Sequence, residues 1–258
     1  MHVMGYLFCA CRQGCDICND VDLCCNFNIV YIIEYNICWV KFKRTKTGNR
    51  IFKNKIEEMM KQMPKISVIF PVYNVAEYLE QSLRSILEQA YKNIEIIAIN
   101  DGSTDNSLAI LETIAQQDTR IKVYSQNNQG VAKTRMNALV KCTGEYVCFV
   151  DSDDIIPYDG FTVLVHRIVA DNADIVIGAY IEKTNAKEVT KEVAKVAIMD
   201  VESSLDIVLK QEVSNALWAK LFRLQLFKHV ELVEYKVGED RILLIQAISK
   251  STRVSFIN

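Results

Sequence analysis

Residues 145–154 read Glu-Tyr-Val-Cys-Phe-Val-Asp-Ser-Asp-Asp, and this stretch decides how the rest of the chain is interpreted. It begins as an apolar run typical of a buried strand and ends with three aspartates. Carboxylate oxygens are hard ligands that suit Mg²⁺ or Mn²⁺. Aspartate and serine are also common turn residues. The stretch alone is therefore equally compatible with a metal site and with an acidic turn.

The overall composition is that of an ordinary globular protein. The chain has 258 residues, of which 50% are hydrophobic and 24% charged, and its formal net charge is −2. It can bury a substantial core, and its charge does not indicate a nucleic-acid partner. The sequence contains no apolar run of roughly 18 residues, the length that would predict a membrane-spanning helix. Its start also lacks a secretory signal pattern. We therefore expect a cytoplasmic protein.

The first 62 residues differ from the remainder in their cysteine content. The cysteines of this segment are Cys9, Cys11, Cys15, Cys18, Cys24, Cys25 and Cys38. The C-x₂-C spacing of Cys15 and Cys18 makes a small zinc module one hypothesis. No second C-x₂-C pair follows, and Met63 stands just before the first clear strand. The preferred interpretation is a Cys-rich, poorly structured extension over residues 1–62, with read-through from an early start codon as one explanation.

From residue 64 onward, predicted strands alternate with predicted helices. Strands are expected at residues 66–70, 94–99 and 121–124, and the apolar part of residues 145–154 is a fourth. Asn74 is expected to cap the first helix. This alternation predicts an α/β, Rossmann-like fold with a mostly parallel sheet flanked by helices. In such a sheet the loops that follow the strands share one edge, where ligands bind.

Three polar clusters follow predicted strands, at residues 71–74, 100–103 and 151–154. A chance acidic turn does not predict this convergence, so the functional interpretation is favoured. The chain contains neither a G-x-G-x-x-G stretch after the first strand nor a P-loop, which leaves metal and cationic side chains to hold phosphates. Lys133 and Arg135 offer positive charge, and the Tyr73 ring could support a base. The alternative for Lys133 and Arg135 is a solvated helix face, and the alternative for Tyr73 is a packed aromatic side chain.

Four motifs resemble, in order and spacing, those of the family 2 glycosyltransferases. They are SVIFPVYN at residues 67–74, NDGSTD at 100–105, NQGVAKTR at 128–135 and DSDD at 151–154. The resemblance covers the chain from about residue 65 to the end. It implies a GT-A fold, a nucleoside-diphosphate sugar donor that is usually a UDP-sugar, inversion at the anomeric carbon, and Mg²⁺ or Mn²⁺ as cofactor.

The resemblance also assigns roles to individual residues. The family's base-binding positions fall on Pro71, Tyr73, Asp101 and Arg135, and the predicted donor site further includes Asn74, Lys133 and Asp151. The D-x-D element falls on Asp151 and Asp153, with Asp153 as the main metal ligand. Asp240 occupies the position of the catalytic base. The alternative for Asp240 is that Glu239 and Asp240 merely favour a helix N-terminus.

Some expectations depend on the family setting. Trp218 lies in a stretch that resembles the one before the family's acceptor site, so it either stacks on a sugar or is a buried aromatic. The acceptor is expected to be a glycan or a lipid-linked molecule. The expected setting is cell-surface polysaccharide synthesis, with peripheral association at the inner face of the membrane. Residues 63–258 would form a GT-A domain that is short at its C-terminus.

Two other functions remain open at this point. One is an inactive or truncated module that only binds nucleotide. The other is a phosphatase of the haloacid dehalogenase type, which would normally carry its D-x-D motif after the first strand. In this chain the motif follows the fourth predicted strand of the domain, and the transferase is therefore preferred.

Overall fold

The computed structural model describes residues 30–34, 37–41, 63–183, 188–193, 198–228, 230 and 238–258. The chain divides into two units, Met1–Gln62 and Met63–Asn258. In the first unit, β1 (Val30–Glu34) and β2 (Ile37–Lys41) form an antiparallel hairpin, which was not predicted from the sequence. The cysteines of the hypothetical zinc module lie outside the described residues, apart from Cys38 in β2.

The second unit contains the remaining strands and all the described helices. Its strands are β3 (Ile66–Val72), β4 (Ile94–Asp101), β5 (Ile121–Gln126), β6 (Tyr146–Phe149), β7 (Ile175–Gly178), β8 (Tyr180–Lys183), β9 (Glu188–Lys191), β10 (Ile198–Met199), β11 (Lys220–Arg223) and β12 (Val254–Ile257). Its α-helices are α1 (Ala76–Leu87), α2 (Ser107–Ala115), α3 (Val131–Leu139), α4 (Gly160–Ala170), α5 (Val201–Leu209) and α6 (Glu239–Ser249), and a 3₁₀ helix covers Leu224–Phe227. In the described part of the chain, no helix combines the length and the apolar character that crossing a membrane requires.

Eight of these strands form one sheet in the order β10-β12-β7-β11-β6-β3-β4-β5. The strands β6, β3, β4 and β5 run parallel to one another, and β12 runs parallel to β7. The exceptions are β11, which is antiparallel to both β6 and β7, and β10, which is antiparallel to β12. The predicted α/β fold with a mostly parallel sheet is therefore confirmed.

Both faces of the central sheet are covered by helices, as a parallel sheet requires. Every residue of β3 and β4 is buried, which explains their almost continuous apolar sequences. On one face, Val68 and Phe70 belong to a core that includes Leu83 of α1 together with residues of α2 and α4. On the other face, Ile69 belongs to a core that includes Leu244 of α6 together with residues of α3 and α5.

The strands β3, β4 and β5 each extend two residues beyond the predicted ends. The reason is that parallel pairing continues to the edge of the sheet, where Val72 pairs with Asn100 and Asp101 pairs with Gln126. Polar residues at these positions still belong to strands because neighbouring backbones complete their hydrogen bonds. Farther along, β8 and β9 form an antiparallel hairpin.

The predicted capping of the first helix by Asn74 is wrong. Asn74 has a left-handed backbone, with φ of 51°, and its Oδ1 atom accepts a hydrogen bond of 2.8 Å from the N–H of Thr104. The residue that precedes α1 is Val75, whose side chain makes no capping bond. Instead, the N–H of Ala76 donates to Oδ2 of Asp105, at 3.1 Å. A neighbouring loop therefore caps the helix, which local sequence spacing could not reveal.

Candidate functional site

A cavity of about 540 Å³ opens at the carboxyl ends of β3, β4 and β6, beside the first turns of α3 and α6. This is the edge at which ligands bind in open parallel sheets. The predicted site residues that line the cavity are Pro71, Tyr73, Asp101, Arg135, Asp151, Asp153 and Asp240. Each of the three polar clusters that were predicted to share one edge of the sheet thus contributes residues to this cavity.

Two predicted site residues, Asn74 and Lys133, do not line this cavity. Lys133 is exposed on α3. Asn74 connects two loops, since its N–H donates to Oγ of Ser103 at 3.1 Å while its side chain accepts from Thr104. The structure therefore gives Asn74 a role in holding loops together, and the predicted contacts of both residues with a donor remain predictions.

Asp101 organises one wall of the cavity. It is only 3% exposed, at the end of β4. Its Oδ1 accepts from the N–H of Gln129 at 2.9 Å and from Nε2 of Gln126 at 2.8 Å, and its Oδ2 accepts from the N–H of Gly130 at 2.9 Å. Asp101 therefore fixes the loop that leads into α3. The ring of Tyr73, which is 48% exposed, is left available at the same wall.

A glycine allows the loops of this wall to touch. Gly102 has φ of +71°, and a Cβ atom there would lie 2.8 Å from the backbone nitrogen of Asn128. Both the left-handed backbone and the lack of space favour glycine at this position. The Gly102 in the 100–103 motif is thus explained by the contact between two loops.

Arg135 connects the two acidic sides of the cavity. Its side chain is 4% exposed and donates from Nη2 to Oδ1 of Asp151, at 2.7 Å. Its Nη1 donates to Oδ1 of Asp240, and its Nε is buried without a hydrogen-bond partner in the described part of the chain. The alternative of a solvated helix face is therefore wrong for Arg135, although Lys133 does lie on such a face.

Asp240 lies in the first turn of α6, directly after Gly238 and Glu239. Burial raises the pKa of its carboxyl group above the usual value, and the charges of Asp151 and Glu239 act in the same direction. The guanidinium of Arg135 opposes this shift. A carboxylate with a raised pKa accepts a proton more readily than an exposed aspartate. The environment of Asp240 thus suits a general base.

Asp151 and Asp153 present oxygens that could hold a divalent cation. Asp153 is exposed and makes no hydrogen bond or ion pair with another described residue, while Asp151 uses one oxygen to bind Arg135. No group of three or more His, Cys, Asp or Glu residues forms a metal-binding cluster among the described residues. Mg²⁺ is commonly bound by one or two carboxylates together with substrate phosphates and water. The two aspartates therefore fit a cation that is completed by a phosphorylated ligand.

Asp154 shows how much negative charge collects here. Burial raises the pKa of its carboxyl group to about 6, and the charges of Asp151 and Asp153 contribute to the shift. Asp154 does not line the cavity, whereas Asp151 and Asp153 do. A cation bound between Asp151 and Asp153 would relieve this repulsion.

Several polar residues at the site were not among the predicted site residues, Thr134 and Gln126 among them. Thr134 lines the cavity, and its Oγ1 accepts a hydrogen bond of 3.0 Å from Nε2 of Gln126. Gln126 also donates to Asp101, so it couples β4 to α3. A signal was present, because Gln126 is a polar residue at the end of a strand, like the three clusters that were recognised.

Trp218 does not line the cavity. Its ring packs edge to face on Tyr180, with ring centroids 4.5 Å apart, and the residue is partly buried. The structure thus gives Trp218 a packing contact, and stacking on a sugar remains a prediction.

The fold of this chain is similar to those of solved glycosyltransferases. The crystal structure of S. aureus TarS 1–349 is similar, with a TM-score of 0.65 and 27% sequence identity, over 74% of this chain and 57% of that one. The mannosyltransferase PcManGT from Pyrobaculum calidifontis, in complex with GDP-Man and Mn²⁺, shares the fold at 16% identity, with a TM-score of 0.57, over 82% of this chain and 64% of that one. The fold is therefore the GT-A fold of glycosyltransferases, as predicted.

The sequence model of the family described as "Glycosyl transferase family 2" matches residues 67–215. The glycosyltransferase GlyA of Streptococcus pneumoniae is 36% identical over 75% of this chain and 29% of its own length. The cholesterol galactosyltransferase of Borreliella burgdorferi is 34% identical over 75% of this chain and 58% of its own length. The chain belongs to the family 2 glycosyltransferases, and it spans less than two thirds of these relatives.

Proposed function

We propose that the chain is an inverting glycosyltransferase that moves a sugar from a UDP-linked donor to a hydroxyl acceptor. The observation that carries this proposal is the placement of Arg135 between Asp151 and Asp240 at one cavity. This placement brings a candidate metal ligand, Asp151, and a candidate catalytic base, Asp240, to the same bound substrate. UDP is chosen as the nucleotide because TarS has been crystallised in complex with UDP-GlcNAc.

The donor would lie along the carboxyl ends of β3, β4 and β6. The uracil base of the donor would rest against the exposed ring of Tyr73, beside Pro71 and Asp101. Asp151 and Asp153 would hold Mg²⁺ or Mn²⁺ against the diphosphate. When bound, such an ion offsets the negative charge that develops on the leaving nucleoside diphosphate.

Asp240 would act on the acceptor. Its Oδ1 accepts a hydrogen bond from Nη1 of Arg135, and its Oδ2 would take the proton of the acceptor hydroxyl. The acceptor oxygen then forms a bond to the anomeric carbon on the face opposite the diphosphate. The bond between that carbon and the diphosphate oxygen breaks, and its electron pair leaves with UDP. The configuration at the anomeric carbon is thereby inverted.

The setting of the reaction is also part of the proposal. A glycan or a lipid-linked acceptor, a cytoplasmic location and peripheral association with the membrane would agree with a role in cell-surface polysaccharide synthesis. One relative is named a cholesterol galactosyltransferase, which supports lipid hydroxyls as one class of acceptor. Membership of this family favours the transferase over the phosphatase alternative.

The substitution Asp240→Asn tests the role of Asp240 as the catalytic base. It keeps the size of the side chain and removes its ability to accept the proton, so we expect kcat to fall by about 10²- to 10⁴-fold while donor affinity is kept. The rate is measured as release of UDP from UDP-GlcNAc, UDP-glucose and UDP-galactose with Mn²⁺, and affinity for UDP by calorimetry.

The matched control is Asp206→Asn, because Asp206 is an exposed aspartate on α5 whose partner is Lys210. Its turnover should equal that of the unmodified protein. Unchanged turnover in Asp240→Asn would remove Asp240 from the mechanism. Binding of UDP without turnover of any donor by the unmodified protein would instead favour a module that only binds nucleotide.

A further inference from the structure

Lys220 is a buried cation inside the sheet. It is 1% exposed at the start of β11, and it is the only lysine among the buried residues of the described part of the chain. It forms no ion pair with another described residue. A buried charge without such a partner is costly unless hydrogen bonds compensate it, so the position calls for an explanation.

The ammonium group of Lys220 closes the turn that precedes its own strand. Its Nζ donates to the carbonyl of Ala216 at 2.6 Å and to the carbonyl of Trp218 at 3.4 Å. Ala219, the last residue before β11, has a left-handed backbone with φ of 55°, which is unfavourable for alanine. The carbonyl of Ala219 accepts a hydrogen bond of 2.9 Å from Gly178. A strained turn of this kind persists only when surrounding contacts hold it.

This turn lies at the edge of the sheet that carries the cavity. Because β11 is antiparallel to β6, with Phe222 paired to Val147, its first residue lies toward the end of β6 from which Asp151 follows. The side chain of Leu217, within the turn, is fully buried in the same core as Leu243 and Leu244 of α6. The turn and the first half of α6 thus share one core.

The turn also acts on Asp240. The backbone of Leu217 lowers the pKa of the Asp240 carboxyl group, against the larger effect of burial, and Leu217 lies between the two residues whose carbonyls Lys220 binds. Burial lowers the pKa of Lys220 to about 7, and the nearby negative charge of Asp240 opposes this shift. The cation and the carboxylate are therefore within electrostatic range of each other.

We propose that Lys220 is a positioning residue, whose ammonium group holds the turn 216–219 so that Leu217 holds the Asp240 carboxylate at the cavity. Arg135 would fix the carboxylate from one direction and the turn would fix it from another. This inference rests on the proposed role of Asp240 as the base.

The substitution Lys220→Met removes the charge and the donors but keeps an unbranched side chain of similar length. We expect the rate of UDP release from UDP-sugars to fall by about 10- to 100-fold, because a base displaced by about 1 Å loses that much. Affinity for UDP, measured by calorimetry, should stay the same, because Lys220 does not line the cavity. The matched control is Lys210→Met, at an exposed lysine on α5, which should have no effect.

A double-mutant cycle tests whether Lys220 acts through Asp240. In the Asp240→Asn background, Lys220→Met should cause little further loss, because residues that act as one unit are not additive. An equal loss in both backgrounds would overturn the proposal. A lower affinity for UDP with an unchanged rate at saturation would overturn it as well.

The backbone amide signal of Leu217 in an NMR spectrum gives a readout that does not depend on turnover. It should shift in Lys220→Met and also in Asp240→Asn, but not in Lys210→Met. An unmoved signal in Asp240→Asn overturns the proposal even if Lys220→Met does not fold. A protein that releases no UDP from any donor contradicts the proposed function, while the amide signal still decides whether Lys220 positions Asp240.

Discussion

At the scale of single residues, the site depends on one guanidinium that serves two carboxylates. Arg135 can do so because its planar group carries donors in several directions, which a lysine ammonium on a flexible stem does not reproduce. Its single positive charge does not balance the acids around it, since Asp151, Asp153, Glu239 and Asp240 all line the cavity. The site thus keeps an excess of negative charge, which opposes a diphosphate until a cation is bound.

The substitution Asp153→Ala tests whether a cation bound at Asp153 offsets this negative charge. We expect it to abolish the gain in affinity for UDP that Mn²⁺ provides, because Asp151 already uses one oxygen for Arg135 and is left as the remaining carboxylate ligand. The measurement is calorimetric titration of UDP with Mn²⁺ and, separately, with EDTA.

Asp159→Ala is the control for this prediction, since Asp159 is exposed and its side chain makes no capping bond at α4. It should bind UDP with the full dependence on Mn²⁺. If Asp153→Ala shows that same dependence, then Asp153 is not the metal ligand.

At the scale of elements, the opposite edge of the sheet contains a buried polar network centred on Glu95 of β4. Glu95 is 2% exposed and accepts hydrogen bonds from Nζ of Lys122 at 2.7 Å, Oγ of Ser67 at 2.7 Å, the N–H of Thr143 at 2.7 Å and Nζ of Lys65 at 3.0 Å. Burial alone would raise the pKa of Glu95, but these bonds outweigh it and hold the pKa well below its usual range. The network thus ties β3, β4 and β5 together.

Glu95→Gln should destabilise the protein by about 1–3 kcal/mol at pH 7, because buried donors lose a charged acceptor. The folded-state pKa lies below the unfolded value, so the stabilisation is fully present above the unfolded pKa of about 4.3 and is lost as the pH falls below it. Urea unfolding of both proteins at pH 7 and at lower pH measures the difference, which should shrink on acidification.

The control for Glu95 is Glu80→Gln, at a glutamate that is 57% exposed and paired with Arg84 one helical turn away. Exposed pairs of this kind contribute about 0.5 kcal/mol or less. A difference for Glu95→Gln that stays constant down to pH 3 would contradict the ionised network.

Some strands and contacts of this protein could be predicted from the sequence, and others could not. Strands such as β3 and β4 were predictable because their apolar residues are consecutive. The position of β11 was not, because its insertion between β6 and β7 depends on pairing with residues far away in the chain. For the same reason, Arg135 was recognised as a cation, but its bridge to Asp240 could not be predicted from spacing. Lys220 offered only one hint, a charged residue inside an apolar run.

At the scale of the whole molecule, the second unit has a core of its own that begins at Met63. The carbonyl of Met63 accepts a hydrogen bond of 2.7 Å from Nδ2 of Asn93, and its side chain packs against the core. The boundary between the two units therefore coincides with the first described residue that packs against this core.

A variant that begins at Met63 should fold and bind UDP as the full chain does. We expect its midpoint of thermal unfolding to lie within about 2 °C of that of the full chain, because the described core of the second unit consists of residues from Met63 onward. Calorimetry with UDP and Mn²⁺ provides the comparison of affinity. Loss of cooperative unfolding would show that residues 1–62 are needed for the fold.

The zinc hypothesis is tested with the same pair of proteins. Elemental analysis of the purified full chain and of the Met63 variant compares their zinc content. Equal zinc content in both would exclude a zinc site formed by the cysteines of the first unit.

The insertion of β11 between β6 and β7 has a consequence for synthesis on the ribosome. The strands β3, β4, β5 and β6 can pair as soon as they emerge, but the free side of β6 is covered only after about 70 further residues have been made. At roughly 5–20 residues per second, that side stays open for about 4 to 14 s. An open apolar strand can pair with another nascent chain. An aggregation-prone interval therefore falls between the completion of the polar loop after β6 and the arrival of β11.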